Sequence, residues 1–349
     1  MELVAAAALA AVVSAIVCAS LMGAGPIDAP NLERKKHRGP TPTSGGIGIA
    51  SGFAAALIAL ALTASAWDGS LSPQGAHLLM WVAFFSYAFL IIGFYDDAHP
   101  LGPRLKLVLF IAVAALAAWA IGPTHKLPFG WATLRFSYPG AIIGSAIWIL
   151  AMVNFTNFMD GANGLAMGMM AIGFATLGFI SLGMGAPISA GFAFSVAGAL
   201  LGFLLWNFPG GRLFAGDSGA LFVGALAATC ALMAIRQTGL SPFVAAMLFL
   251  PTIVDASLTL LWRLRRKRSM LEGHSEHIYQ IAIRAGWPHW RVSLTYWLIT
   301  AVCCGAAFVV AFDPSQTSPP IVLLALTLVL IFASSKIRAF AKERGIAEV

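Results

Sequence analysis

The chain has 349 residues, of which 59% are hydrophobic and only 10% are charged, and its mean hydropathy is +0.86. A soluble domain carries roughly 25% charged residues, so this composition excludes an ordinary water-soluble globular protein. The net charge of +7 would suit nucleic acid, but the Lys and Arg residues flank apolar runs, where membrane topology places them. We therefore expect an integral membrane protein with no nucleic-acid partner.

Eleven apolar runs approach the length of about 20 residues that a helix needs to cross the hydrocarbon core. They predict an all-α, polytopic fold that forms a single domain over 1–349. The runs lie near 3–22, 45–66, 76–94, 105–122, 139–153, 165–184, 188–206, 220–235, 243–262, 292–312 and 320–334. We interpret the first as a retained helix rather than a signal peptide, because no small-residue cleavage site follows it.

Lys and Arg residues are distributed unevenly over the loops between these runs. Alternate loops hold 18 of the 21, and the remaining loops hold only Lys126, Arg135 and Arg236. Cytoplasmic loops carry the excess of positive charge in membrane proteins. The pattern therefore predicts a cytoplasmic C-terminus and an N-terminus on the opposite side.

Two loops of the basic set carry carboxylates. Asp96 and Asp97 follow the third apolar run, and Asp217 precedes the eighth. Adjacent acids can hold a divalent metal or accept a proton, although a polar helix end is the simpler interpretation. Asp217 can be an ordinary helix N-cap, or it can hold a metal beside a phosphate bound at the helix N-terminus.

A third loop of the same set, 154–164, has no Lys or Arg and is rich in amides. It contains three amides, Asn154, Asn157 and Asn163, together with Asp160 and two glycines. Amides suit the hydrogen-bonding edge of a ribose or a base, although Asn, Asp and Gly are also common turn formers. The density of polar groups between two apolar runs favours a binding function.

The last large loop carries His274 and His277, which would share one face if this segment were helical. No Cys or further His lies at the usual spacing for zinc, so contacts with a diphosphate suit them better. Two interfacial histidines without a role are the simpler alternative. Asp255 lies inside the ninth run, where an ionisable group is either functional or paired with a neighbouring helix.

The polar loops of the basic set are expected to converge on one divalent cation and one nucleotide diphosphate. They span 31–44, 95–106, 154–164, 207–219 and 263–291. Phosphoryl transfer needs little beyond such charge stabilisation and positioning. A transporter is the main alternative of another class, but it would place polar groups near the midplane, where only Asp255 is a candidate.

Five segments resemble, in order, the motifs of the bacterial polyprenyl-phosphate N-acetylhexosamine-1-phosphate transferases, glycosyltransferase family 4. They are His37–Gly46, Asp96-Asp97 with Lys106, Asn154–Gly168, Asn207–Gly219 and His274–Gln280. The resemblance implies transfer of N-acetylhexosamine 1-phosphate from a UDP-sugar to undecaprenyl phosphate, with release of UMP. It also implies a bacterial inner-membrane location, an active site on the cytoplasmic face and Mg²⁺ as the cofactor, with Mn²⁺ as the alternative ion. A second copy of the chain in a homodimer is a further partner to consider.

The resemblance also implies site residues. The catalytic set is Asp96, Asp97, Asp217, His274 and His277, of which Asp217 and Asp97 are the metal ligands. The substrate-binding set is Arg38, Lys106, Asn154, Asn157, Asp160, Asn207 and Phe214. In these roles the amides, Asp160 and Phe214 would hold the nucleotide, Lys106 would steady the lipid phosphate, and Arg38 and the histidines would bind the diphosphate. A covalent intermediate and a direct displacement both stay open.

Two departures from the family pattern bear on the substrate. Asn163 stands where many members have Asp, which questions a metal role at that position. The segment His-Ser-Glu-His-Ile-Tyr-Gln, with Val254-Asp255-Ala256-Ser257, looks more like the O-antigen branch than the peptidoglycan branch. We therefore rank an initiating transferase for O-antigen or a related polysaccharide first, and the peptidoglycan lipid I synthase (phospho-MurNAc-pentapeptide transferase) second.

Overall fold

The computed structural model describes residues 2–23, 27–28, 41–63, 73–269 and 276–346. Within these ranges the chain forms thirteen helices and two small antiparallel strand pairs. The helices are α1 (Glu2–Leu21), α2 (Gly45–Thr63), α3 (Pro73–Ala98), α4 (Pro103–Ile121), α5 (Tyr138–Met159), α6 (Leu165–Gly183), α7 (Pro187–Asn207), α8 (Gly216–Thr238), α9 (Pro242–Leu248), α10 (Leu250–Arg265), α11 (Ile278–Arg284), α12 (His289–Ala311) and α13 (Ser318–Glu343). The strands are β1 (Ile27–Asp28) paired with β2 (Thr41–Pro42), and β3 (Lys126–Pro128) paired with β4 (Thr133–Arg135).

Ten helices in the described ranges are long and apolar enough to cross a membrane, and α9 with α10 add an eleventh if that bent pair is one span. The predicted all-α polytopic fold is therefore confirmed. Helix α8 is the centre of the bundle, because its side chains from Ser218 to Ala234 are all buried. Helix α13 lies at the periphery and leaves most of its apolar side chains, such as Leu324 and Phe332, exposed to lipid.

The ninth span, predicted as one helix over 243–262, is broken. Helices α9 and α10 meet at Phe249 at an angle of 84°. Pro251 stands in the first turn of α10, and a proline ring clashes with the carbonyl of the preceding turn and cannot donate an N–H. A continuous helix through this position is therefore unfavourable, which hydropathy alone does not reveal.

Three helices extend into segments that were predicted as loops. Helix α3 continues to Ala98, so Asp96 and Asp97 lie on its last turn, and α5 continues to Met159, so Asn154 and Asn157 are helical. Helix α8 begins at Gly216 and includes Asp217. Helices continue until their backbone bonding ends, so polar residues at the membrane surface remain helical where a hydropathy window stops.

Glycines allow the helices of the bundle interior to approach closely. A Cβ atom on Gly198 would lie 2.1 Å from the carbonyl oxygen of Ala7, and one on Gly202 would lie 2.2 Å from that of Ala11. Both glycines belong to α7 and both oxygens to α1. Small residues drive such packing in membranes, where lipid removes the hydrophobic driving force between helices.

We expect Gly202→Ala to destabilise the protein by roughly 1–3 kcal/mol, because the added methyl group forces α1 and α7 apart. The thermal unfolding midpoint in detergent measures this effect. Gly144→Ala is the matched control: Gly144 also lies in a membrane helix, but a Cβ atom on it would meet no described atom within 4 Å. Equal midpoints for the two variants would contradict the close-packing explanation.

Candidate active site

The ends of α3, α5 and α7 and the beginnings of α4, α6 and α8 meet at one end of the bundle. The backbone joins the loops there: Phe214 N–H donates to the Pro42 carbonyl at 2.9 Å, and Gly45 N–H donates to the Phe214 carbonyl at 2.9 Å. These bonds join the first polar loop, 31–44, to the loop 207–219. Arg38 and His274 lie outside the described residues.

A lysine bridges two carboxylates at this end. The Nζ of Lys106 donates to Oδ2 of Asp96 at 2.7 Å and also to Oδ2 of Asp217. The other oxygen of Asp96 accepts the Leu101 N–H at 2.6 Å. The three side chains come from α3, α4 and α8, and all are largely shielded from solvent. One ammonium group thus holds together acids 121 residues apart in the chain.

Asp97 caps helix α8 from a different helix. Its Oδ1 accepts the backbone N–H of Asp217 at 2.9 Å, and its Oδ2 accepts that of Ser218 at 3.0 Å. Carboxylates at a helix N-terminus satisfy free N–H groups and complement the helix dipole. Gly93 makes the approach feasible, because a Cβ there would lie 2.6 Å from the backbone of Asp217. Asp97 therefore positions Asp217, whatever else it binds.

Asn207 joins two of the loops. Its Oδ1 accepts the Gly164 N–H at 2.5 Å, and its Nδ2 donates to the Leu213 carbonyl at 2.8 Å. The side chain is only 6% exposed. Both ends of this amide are thus occupied by the protein, which makes Asn207 a brace between 160–164 and 208–215.

The amide-rich segment places Asp160 close to the carboxylates. Asn154 donates to the Leu150 carbonyl of its own helix at 2.7 Å, whereas Asp160 is the first residue after α5. Burial raises the pKa of Asp160 well above its usual range, and the negative charges of Asp217 and Asp97 raise it further. A cation bound near these acids would relieve that repulsion.

The chemistry of this donor set fits magnesium. Mg²⁺ prefers oxygen ligands and is commonly held by one or two carboxylates, with water and substrate phosphates completing its shell. Among the described residues no three His, Cys, Asp or Glu side chains form a complete metal site, so the substrate would have to supply ligands. Asp217 is the better-placed ligand, because both oxygens of Asp97 already accept backbone N–H groups.

A second polar centre surrounds Asp255. Its carboxylate accepts the N–H groups of Ile278 and Tyr279 at 2.9 and 3.1 Å and the Tyr296 hydroxyl at 2.6 Å. The Nδ1 of His277 lies 3.3 Å from Oδ1. Of the two interpretations of Asp255, pairing with neighbouring elements is the one that this geometry favours.

His277 is the N-cap of α11 rather than a helical residue, and it is 2% exposed. It therefore shares no helical face with position 274. Its ring lies 5.7 Å from that of Phe158, centroid to centroid. His277 therefore contacts the amide-rich segment, 154–164, through the ring of Phe158.

Tyr279 completes the connection between the two centres, and sequence reasoning missed it. Its hydroxyl donates to the Phe158 carbonyl at 3.1 Å, and burial raises its pKa above the usual range, so the donor proton is retained. Gly161 lies against the same ring, since a Cβ there would be 2.1 Å from the hydroxyl oxygen. The position of Tyr279 in the sequence, two residues after His277, does not by itself indicate its contact with Phe158.

A buried ion pair stabilises the segment that precedes His277. Arg263 donates to Glu276 at 2.6 Å, and Arg268 pairs with the other oxygen of the same carboxylate. Although burial raises the pKa of Glu276, the two arginines outweigh this and hold it below its usual value. Two cations predicted only as topology determinants therefore shape the histidine loop.

We expect Asp255→Ala to destabilise the protein by roughly 2–4 kcal/mol, because several buried donors would lose their acceptor. Tyr296→Phe is the graded control, since it removes one donor and should cost about 1 kcal/mol. Thermal unfolding in detergent measures both. An unchanged midpoint for Asp255→Ala would show that the carboxylate does not hold α11 in place.

The part of the chain that contains these carboxylates matches a known family. The family model for glycosyl transferase family 4 matches residues 79–235, from α3 to α8. This stretch includes the Lys106 bridge, the Asp97 cap and the Asn207 brace.

Curated relatives extend the match over most of the chain. Decaprenyl-phosphate N-acetylglucosaminephosphotransferase of Mycolicibacterium smegmatis is 29% identical over 315 residues, which cover 82% of this chain and 76% of that protein. A probable undecaprenyl-phosphate N-acetylglucosaminyl 1-phosphate transferase of Bacillus subtilis is 25% identical, with coverage of 79% and 74%. Phospho-N-acetylmuramoyl-pentapeptide-transferase of Lacticaseibacillus paracasei is 27% identical, with coverage of 80% and 86%. The chain is thus similar to glycosyl transferase family 4 over residues 79–235 and to polyprenyl-phosphate sugar-phosphate transferases over most of its length.

Proposed function

We propose that this protein transfers N-acetylhexosamine 1-phosphate from a UDP-sugar to undecaprenyl phosphate, as the first membrane step of O-antigen or related polysaccharide synthesis. The match of residues 79–235 to the glycosyl transferase family 4 model and relatives named as polyprenyl-phosphate sugar-phosphate transferases support the coarser part of this assignment. The observation that carries it is the lysine held between Asp96 and Asp217 at the end of the bundle.

In the proposed reaction a phosphate oxygen of the lipid attacks the β-phosphorus of the nucleotide sugar. The bond from that phosphorus to the bridging oxygen breaks, and UMP leaves with the electron pair. A phosphate monoester has a second pKa near 6, so most of it is already ionised at pH 7. The nucleophile therefore needs positioning and charge compensation more than it needs a base.

The lysine bridge suits that task. Lys106 is a compact cation that is largely shielded from solvent, so its attraction for a phosphate is stronger than in bulk water. Asp96 holds the ammonium group from one side, and Asp97 fixes the backbone that carries Asp217. A magnesium ion bound at Asp217 would neutralise the diphosphate and stabilise UMP as a leaving group. In this proposal Asp160 and the helical amides Asn154 and Asn157 hold the nucleotide.

We infer that this end of the bundle faces the cytoplasm of a bacterial inner membrane. The loops at this end belong to the set that holds 18 of the 21 Lys and Arg residues. The transporter alternative loses its main support, because the carboxylate of Asp255 already accepts hydrogen bonds from three protein donors.

The donor assay is the direct test. Purified protein with Mg²⁺ and undecaprenyl phosphate should release UMP from at least one UDP-N-acetylhexosamine, among UDP-GlcNAc, UDP-FucNAc and UDP-QuiNAc, and none without the lipid. UMP release from UDP-MurNAc-pentapeptide alone would favour lipid I synthesis, for which the Lacticaseibacillus relative is a precedent. Folded protein that releases no UMP from any donor would overturn the proposal.

We expect Asp217→Asn to lower the rate of UMP release by about a thousandfold, because the proposed metal ligand and partner of Lys106 is lost. Asp313→Asn is the control: Asp313 is a half-buried acid that accepts hydrogen bonds from Ser315 and Ser318 in a loop between α12 and α13. It should retain the wild-type rate. A near-wild-type rate in Asp217→Asn would show that the metal assignment is wrong.

A further inference from the structure

A basic cluster lies away from the Lys106 bridge, where α10, α11 and α13 end. We call Arg266, Arg284 and Arg338 the arginine cluster. The guanidinium groups of Arg266 and Arg338 lie 4.7 and 5.6 Å from the ring centroid of Trp262. Arg284 is in the last turn of α11, where the adjacent Ala285 packs in one apolar cluster with Ile337 and Ala341 of α13, on either side of Arg338. Three like charges from three elements are thus held near one another.

The cluster lacks protein acceptors. The Nε and Nη2 atoms of Arg284 and both Nη atoms of Arg338 are buried without a hydrogen-bond partner in the described part of the chain. Two acids in the described ranges near this end already have partners: Glu276 pairs with Arg263 and Arg268, and Asp255 accepts from α11 and α12. Buried donors without acceptors are costly. An anion would supply the missing acceptors and offset the repulsion.

An apolar groove adjoins the cluster. A cavity of about 40 Å³ lies between α13 and the elements α10 to α12. Its lining is mostly apolar, with Leu330, Ala333 and Ile337 of α13, and it also includes Asp255 and Tyr296 on the opposite side. Ile337 immediately precedes Arg338 in the chain. The groove therefore borders α13 next to its charged end. An apolar surface beside a cationic one suits a ligand with an apolar chain and an anionic headgroup.

The depth of the cluster also matches a headgroup. Arg338 lies 20 residues after Ser318, the first residue of α13. At 1.5 Å per residue this is about 30 Å, the thickness of the hydrocarbon core. The guanidinium groups are thus at the level of lipid phosphates, and basic pockets between membrane helices commonly bind anionic headgroups.

We propose that the arginine cluster binds the headgroup phosphate of an anionic phospholipid whose acyl chain follows the groove along α13. The site differs from the one proposed for the polyprenyl phosphate, because Lys106 pairs with residues of α3 and α8 whereas this cluster belongs to α10, α11 and α13. Binding there ties the peripheral helix α13 to α11, the helix whose first turn is held by Asp255.

The test compares two double variants with the same loss of charge. In Arg284→Gln/Arg338→Gln the cluster is dismantled, and in Arg265→Gln/Lys267→Gln two exposed cations of the neighbouring turn are removed. Each protein, purified in uncharged detergent, is titrated with phosphatidylglycerol, phosphatidylcholine, undecaprenyl phosphate and inorganic phosphate. Native mass spectrometry counts bound lipid, and thermal unfolding measures stability.

The wild type should retain one phosphatidylglycerol in preference to phosphatidylcholine and should bind inorganic phosphate far more weakly. The cluster variant should bind phosphatidylglycerol more weakly by on the order of thirtyfold, and the control by no more than about threefold. Without lipid, the cluster variant should unfold at the wild-type temperature or above it, because it removes unpaired like charges. Arg338→Lys, which keeps the charge, should retain most of the binding.

Four results would overturn the proposal. Equal weakening in both double variants would indicate diffuse electrostatic attraction, and equal affinity for inorganic phosphate would remove the role of the groove. Preference for undecaprenyl phosphate, abolished in the cluster variant, would make this a substrate site. Lower stability of the lipid-free cluster variant would mean that the arginines have protein partners.

Discussion

The lysine between Asp96 and Asp217 is the interaction on which the rest of this bundle end depends. Carboxylates that approach one another beside an apolar core repel strongly unless a cation or a set of donors compensates them. Here Lys106 supplies the positive charge beside Asp96 and Asp217, and Asp97 accepts backbone N–H groups at the start of α8. The helices α3, α4 and α8 can therefore meet only in this arrangement, which in turn brings Asp160 towards them.

The membrane fold was predictable because its signal is local. An apolar run of sufficient length implies a span whatever its neighbours are, and the uneven distribution of Lys and Arg indicates which loops lie together. The break at Phe249 and the polar last turns of α3 and α5 were missed. Both depend on backbone bonding rather than on hydropathy, so an average over a window cannot detect them.

The sequence indicated which residues could form the candidate site, but not which groups each side chain contacts. Asp97 stood out as an acid, yet its position against the α8 N-terminus depends on Gly93 and on two helices remote in sequence. His277 stood out as a histidine, yet Asp255, Tyr296 and Phe158 determine its surroundings. Arg263 was predicted only as a topology determinant, yet it forms a buried ion pair with Glu276. Contacts of this kind require the tertiary arrangement.

The packing of α1 has a consequence for how the protein is made. One face of α1 lies against α2 and another against α7, where Trp206 donates to the Ala15 carbonyl across 191 residues. At a synthesis rate of 5–20 residues per second, about 10 to 40 s separate the emergence of these two partners. During that interval the glycine-containing face of α7 has not yet been synthesised. The surface of α1 that will contact α7 must therefore be covered by lipid or by the insertion machinery while α1 and α2 are already in the bilayer.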